Sequence, residues 1–193
     1  MIAINIRGTS GSGKSTLARR ILAHYSSNVP TMVEGRGRPI GVVYLGQGTP
    51  LYVLGHYEAE QGGGADTVSW KEGFPLLEEA AKRGLVNVMW EGVLFSEEVA
   101  RTIELARYIN IHVMLLTTPI DQCLADIRAR REARGNVKPL SESNTVGRVK
   151  TIERACTRLH LSQSPGLKIH KLDRDAAYTK CAELLGLPCT RSP

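Results

Sequence analysis

Nine consecutive residues near the N-terminus carry the strongest chemical signal in the chain. Gly8-Thr9-Ser10-Gly11-Ser12-Gly13-Lys14-Ser15-Thr16 matches the spacing G-x-x-x-x-G-K-[ST]. Glycines at these positions let the backbone curl until successive N–H groups point at one anion, and a following helix adds the positive end of its dipole. Lys14 is a mobile point charge that can reach the outer phosphates of a nucleotide. The Ser15 hydroxyl is a hard oxygen suited to Mg²⁺. The residues expected to cradle phosphates are therefore Gly8, Ser10, Gly11, Ser12, Gly13, Lys14, Ser15 and Thr16. The dinucleotide fingerprint G-x-G-x-x-G fits poorly, because Gly11-Ser12-Gly13 leads to Thr16 where that pattern needs glycine.

Further residues have chemistry that complements a bound nucleotide. Glu91 closes the run Val86-Asn87-Val88-Met89-Trp90 and is a carboxylate at a strand end, a hard oxygen donor near the expected phosphate chemistry. A solvated carboxylate at a strand end is the plainer alternative. Glu58 and Asp66 belong to the polar, glycine-rich stretch from His56 to Thr67, and either can orient or deprotonate an acceptor hydroxyl. Each can equally be a turn residue, as Asp often is beside glycine. Arg128, Arg130, Arg131 and Arg134 cluster on and after one helix end. Such a run is by default a solvated face, but a phosphate loop elsewhere in the chain gives at least one of them a phosphoryl group to contact. His56 and Tyr57 suit contact with a pyrimidine or ordinary loop packing. Arg36-Gly37-Arg38-Pro39 contains the R-G-R-P core of some minor-groove DNA-binding arms, a short signal that a Gly/Pro-rich loop also explains.

The elements needed to position these groups alternate along the chain. Ile2 to Ile6 alternates as a strand, and Thr16 to Tyr25 carries Leu17, Ile21 and Leu22 at helical spacing, so the phosphate loop falls between strand and helix. Gly41–Leu45 and Leu51–Gly55 read as a hairpin or broken strand. A helix follows with Trp70, Phe74, Leu77 and Ala81 on one face, Pro75 as a possible break and Gly84 as its stop. Leu85 to Trp90 is a buried strand, and Ser96 to Arg107 a helix with Glu97 and Glu98 in its first turn. Ile109 to Thr117 is a strand that leads into a helix capped by Thr118, with Pro119 at its first position. Asn144 to Leu161 is a basic helix with Val146, Val149, Ile152, Cys156 and Leu159 as its apolar stripe. Leu167–Leu172 and Ala176–Leu185 complete the order. Strand–helix alternation implies a parallel sheet wrapped by helices, with the chemistry at the strand ends near Arg7, Glu91 and Thr117.

Composition narrows the class. The 193 residues suit one domain, and 42% hydrophobic with 23% charged residues is globular composition. No run reaches the roughly 18 apolar residues of a membrane span, and the N-terminus lacks signal-peptide character. Cys123, Cys156, Cys181 and Cys189 show no metal spacing and read as reduced structural thiols of a cytoplasmic protein. The net charge of +6 points to an anionic partner. Arg128 to Arg158 holds nine bases and three acids, so this segment carries the whole excess. Arg148, Lys150, Arg154 and Arg158 exceed what contact with one nucleotide needs, which favours a polyanionic substrate.

With these residues in place, the chain resembles the P-loop kinases that include the nucleoside-monophosphate, gluconate and polynucleotide kinases. The resemblance rests on the phosphate loop and on Ile111-His112-Val113-Met114-Leu115-Leu116-Thr117-Thr118-Pro119 leading into Asp126-Ile127-Arg128-Ala129-Arg130-Arg131-Glu132-Ala133-Arg134-Gly135. It implies a three-layer α/β/α fold with a mostly parallel central sheet and a basic helical lid at about residues 128–145, in a single domain spanning residues 1–193. It also implies ATP and Mg²⁺. Lys14 and lid arginines (Arg130, Arg131, Arg134) would act on the transferred group, Glu58 or Asp66 on the acceptor, and Ser15 with Glu91 on the metal. Leu54-Gly55-His56-Tyr57-Glu58 and Gly62-Gly63-Gly64-Ala65-Asp66-Thr67 are similar to phage kinases that phosphorylate 5-hydroxymethyluracil within DNA, which implies DNA as partner and the host cytoplasm as location. A small-molecule kinase, for a nucleoside monophosphate or similar metabolite, is the alternative. A non-catalytic nucleotide switch is a third.

Overall fold

The structure, a computed structural model, describes residues 1–57, 63–136 and 139–188. Glu58, Lys138 and Cys189 lie outside the described residues. Seven strands form one sheet: β1 (Ile2–Arg7), β2 (Ser27–Thr31), β3 (Gly41–Leu45), β4 (Leu51–Leu54), β5 (Asn87–Glu91), β6 (Asn110–Leu116) and β7 (Leu167–Leu172). Their order is β2-β3-β4-β5-β1-β6-β7. The pairings from β4 through β7 are parallel, and β2-β3 and β3-β4 are antiparallel. The helices are α1 (Lys14–Leu22), α2 (Trp70–Arg83), α3 (Val93–Glu97), α4 (Ala100–Leu105), α5 (Ile120–Glu132), α6 (Glu142–Leu161) and α7 (Arg174–Leu185), with a 3₁₀ turn at Ala65–Thr67.

Alternation in the buried strands sorts the side chains into two cores. Ile4, Ile6, Met89, Met114 and Leu116 pack with α1 and α7. Ala3, Val88, Trp90, Ile111, Val113 and Leu115 pack with α2, α4 and α6. That is the three-layer α/β/α arrangement, with β1 at its centre between β5 and β6.

Several elements depart from the sequence reading. The polar β2, with Pro30, has no apolar alternation and was not anticipated; it is an edge strand, where a residue without N–H is tolerated. The helix expected over Ser96–Arg107 is two short helices. The reason is Arg7, whose side chain is fully buried. Its guanidinium donates to the Ser96 carbonyl (3.0 Å), the Glu98 carbonyl (2.7 Å) and Thr102 Oγ1 (2.8 Å), and its Nε donates to Asn5 Oδ1 (2.5 Å). Glu98 is extended, and its carboxylate accepts the Arg101 N–H at the head of α4. α5 is capped at Pro119 and not at Thr118, because the Thr118 hydroxyl donates to the Ser12 carbonyl. Pro75 sits inside an unbroken α2, and Trp70 lies outside that helix's buried face. In α6, Thr145 is buried while Val146 is exposed.

Burial pulls the Arg7 guanidinium down to about 10, which still leaves it charged at neutral pH. Removing it would take a donor from four acceptors, of which the Glu98 carbonyl keeps a second one in Thr102 Oγ1, at about 1–3 kcal/mol for an unsatisfied buried group. Arg7→Met is therefore expected to lower stability by about 2–3 kcal/mol. The urea midpoint measures this; an unchanged midpoint would show that the guanidinium does not hold the α3–α4 junction.

Candidate active site

The loop from Gly8 to Gly13 leaves the central strand at its C-terminal end and enters α1 at Lys14. Gly11 has a left-handed φ of 76°, and a Cβ there would lie 2.2 Å from the Cys123 carbonyl oxygen of α5. Only glycine among the amino acids tolerates both that conformation and that approach. The outer side of the loop is tied down from two further elements. Thr118 Oγ1 donates to the Ser12 carbonyl at 2.8 Å. Arg174, at the start of α7, donates to the Gly11 and Ser12 carbonyls and pairs with Asp126 at 2.5 Å. Loop carbonyls held outward leave the loop N–H groups for an anion.

Ser10, Gly11, Gly13, Lys14, Ser15 and Thr16 line a cleft of about 460 Å³, and Gly8 and Ser12 line the space behind the loop. Lys14 is buried, and its ammonium donates to the Thr9 carbonyl at 3.0 Å. Burial lowers its pKa, opposed by the carboxylates of Glu91 and Asp66.

Glu91 ends β5 beside Lys14, with 1% of its surface exposed. Its Oε1 accepts from Ser15 Oγ at 2.7 Å and from the Tyr57 hydroxyl at 3.2 Å. Burial pushes the Glu91 carboxyl up, while Lys14 and the two hydroxyls pull it down. Tyr57 is raised well above its ordinary range by burial and by Glu91, so it stays a hydroxyl donor. Gly64 makes room for this group: a Cβ there would stand 2.5 Å from Glu91 Oε1. A serine hydroxyl and a carboxylate are hard oxygen donors that fit Mg²⁺, which commonly takes only one or two protein ligands beside phosphates and water. Among the described residues no group of three acidic, His or Cys side chains offers a more complete metal site.

On the opposite wall Asp66 sits in the 3₁₀ turn, exposed at the mouth of the cleft. Its Oδ1 accepts the Val93 N–H at the head of α3, 2.8 Å away. Asp66 is thus held facing the Lys14–Glu91 floor by a backbone contact. His56 is buried with neither ring nitrogen hydrogen-bonded among the described residues, and Tyr57 is engaged by Glu91 and lies under Arg19. Both residues pack the loop instead of presenting a ring to a substrate.

The lid arginines separate. Arg130 alone of the four lines the cleft, together with Ala129 and Asp126, close enough to lower the Lys14 pKa. Arg128 pairs with Glu142 of α6. Arg131 donates to the Pro139 carbonyl at 3.1 Å, and Arg134 lies on the exposed turn after α5. Arg148 pairs with Glu97 of α3 at 2.6 Å. Lys150, Arg154 and Arg158 are exposed at i, i+4, i+8 spacing on the side of α6 away from the core.

Arg174 and Asp126 were not anticipated as site residues. A signal existed: Arg174 follows Asp173, which caps α7 after the edge strand β7, and ligands gather at such strand ends. Tyr57 as the partner that orients Glu91 had no such signal, since 34 residues separate the two.

A nucleotide-sized cleft at the C-terminal edge of a mostly parallel sheet, floored by the glycine-rich loop that carries Lys14 and bordered by the basic α5, gives the chain the three-layer architecture of the P-loop kinases. No family model matches the chain. It is 37% identical over 186 residues to the 5-hmdU DNA kinase of Pseudomonas phage PaMx11, covering 94% of this chain and 96% of the relative. It is 27% identical to the enzyme of the same name from Pseudomonas phage M6, over 78% of this chain and 81% of that one. It is 28% identical to that of Delftia phage PhiW-14, over 73% and 57%. The chain belongs to the family of phage 5-hmdU DNA kinases.

Proposed function

We propose that the protein transfers the γ-phosphoryl group of ATP to the hydroxymethyl oxygen of 5-hydroxymethyluracil within DNA, a step in the hypermodification of phage DNA. The observation that carries this reading is the identity to the PaMx11 kinase across nearly the whole of both chains.

The cleft supplies a role for each group. The loop N–H groups and Lys14 bind the outer phosphates. Arg130 approaches from the lid to neutralise charge on the transferred phosphoryl group. Asp66 accepts the proton of the hydroxymethyl O–H as its oxygen bonds to phosphorus and the bond from phosphorus to the ADP oxygen breaks. Ser15 and Glu91 would hold Mg²⁺, which when bound neutralises the β- and γ-phosphate oxygens. Arg131 and Arg134 serve the lid and not the phosphoryl group. The reading implies the host cytoplasm as the site of action; no helix among the described residues is long and apolar enough to cross a membrane.

Radiolabelled ATP offered with plain DNA, hydroxymethyluracil DNA and free nucleotides tests this. Label is expected on hydroxymethyluracil DNA alone, with binding that weakens as salt rises. Label on a free nucleotide with modified DNA untouched would give the chain to the small-molecule kinases. No transfer to any acceptor, with ATP still bound, would make it a switch.

A further inference from the structure

The two tryptophans have opposite surroundings. Trp90 is fully buried in the core, whereas Trp70 keeps 38% of its surface exposed. Trp70 is the first residue of α2, three residues beyond Thr67, which lines the cleft beside Asp66. Arg101 of α4 lies over its ring, with Cζ 4.1 Å from the centroid, and the Lys71 ammonium is 5.8 Å from the same ring. The Arg101 guanidinium has no carboxylate partner among the described residues. An exposed indole stacked with an uncompensated guanidinium gives the core little. It has the chemistry that nucleobases stack on, independent of sequence.

The same turn of α2 is reached by the loop between β2 and β3. Arg36 donates to the Thr67 carbonyl at 3.0 Å and pairs with Glu72 at 3.2 Å. This holds the loop at the rim of the cleft. Arg38 is exposed there, and a Cβ at Gly35 or Gly37 would meet nothing within 4 Å. Lys71 thus adds a cation beside an aromatic stack on the Asp66 side of the cleft, and Arg38 stands exposed on the loop that Arg36 ties to the same turn. In the functional reading above, that is the acceptor side.

We propose that this surface is the track for the DNA strand that carries the acceptor base: a neighbouring base stacks on the Trp70–Arg101 pair, and Arg38 and Lys71 take backbone phosphates. The proposal rests on the functional reading above and adds where the polymer lies. Opposite charge and continuity with the wall bearing Asp66 favour DNA over a protein partner.

Tryptophan emission reads this surface directly, because Trp90 is out of reach. A single-stranded oligonucleotide containing 5-hydroxymethyluracil is expected to quench the wild-type protein. Trp70→Phe should lose the quench yet keep the KM for DNA within about threefold, since a phenyl ring still stacks. Trp70→Ala should raise that KM about tenfold, with kcat at saturating DNA and the KM for ATP unchanged. Emission unmoved at DNA concentrations that saturate turnover, or a wild-type KM in Trp70→Ala, would overturn the track and leave the kinase reading intact. Emission that varies with protein concentration before DNA is added would give the face to a second copy and overturn it too. A wild-type protein that is quenched by this DNA but never labels it would overturn the kinase reading while supporting the track.

Discussion

Lys14→Ala is expected to lower kcat/KM for ATP on the order of 10³-fold while the protein stays folded. Removing one preorganised group that meets developing charge commonly costs 10²–10³ in rate, and in the proposed function Lys14 also binds the ground-state phosphates, so both parameters should suffer. Its structural role is slight. The ammonium makes one hydrogen bond, to Thr9, and it is held in a site where burial disfavours its charge. The thermal midpoint should therefore move little. Near wild-type turnover would remove the phosphate loop from the chemistry. An unfolded variant would mean that the lysine supports the loop itself, and ATP binding by Lys14→Met, which keeps the stem, then separates the two roles.

Asp66→Asn is expected to cost about 10²–10⁴ in kcat, the usual worth of a positioned general base. The amide is the informative replacement. Its oxygen can still accept the Val93 N–H, so the 3₁₀ turn and the head of α3 remain joined. What it lacks is a lone pair basic enough to take the hydroxyl proton. Both KM values should stay close to wild type, because Asp66 lies outside the Lys14–Ser15–Glu91 floor. Single-turnover measurement with hydroxymethyluracil DNA checks the step itself. A loss smaller than about threefold would transfer the role to Glu58, with Glu58→Gln as the matching variant.

Between them these two residues show how differently parts of the site were readable. Lys14 stands in a local pattern in which glycine, lysine and serine act within nine residues, so a linear string suffices to find it. Asp66 and Glu91 read from the string as carboxylates in a loop and at a strand end, yet the string could not say what they face. Among four lid arginines, spacing offered no choice. Only packing of α5 over the phosphate loop, with the Gly11 backbone against Cys123, turns Arg130 into the cleft. Arg128 and Arg131 are spent on holding α5 to α6 and the loop between them.

The amino-acid sequence alone determined the order of strands and helices along the parallel core, the glycine-rich loop between β1 and α1, and the location of the excess positive charge. Each depends on interactions within a few residues: alternation, helical spacing, glycine torsions and a run of like charges. The tertiary structure decided the rest. A buried Arg7 divides one expected helix into α3 and α4, because a desolvated guanidinium takes carbonyls that a continuous helix would have used. Tyr57 is assigned to Glu91, and Arg174 to the loop carbonyls, across 34 and more than 160 residues. A hydrogen bond between distant residues leaves no trace in local composition; it exists only once the sheet has brought their strand ends to one edge.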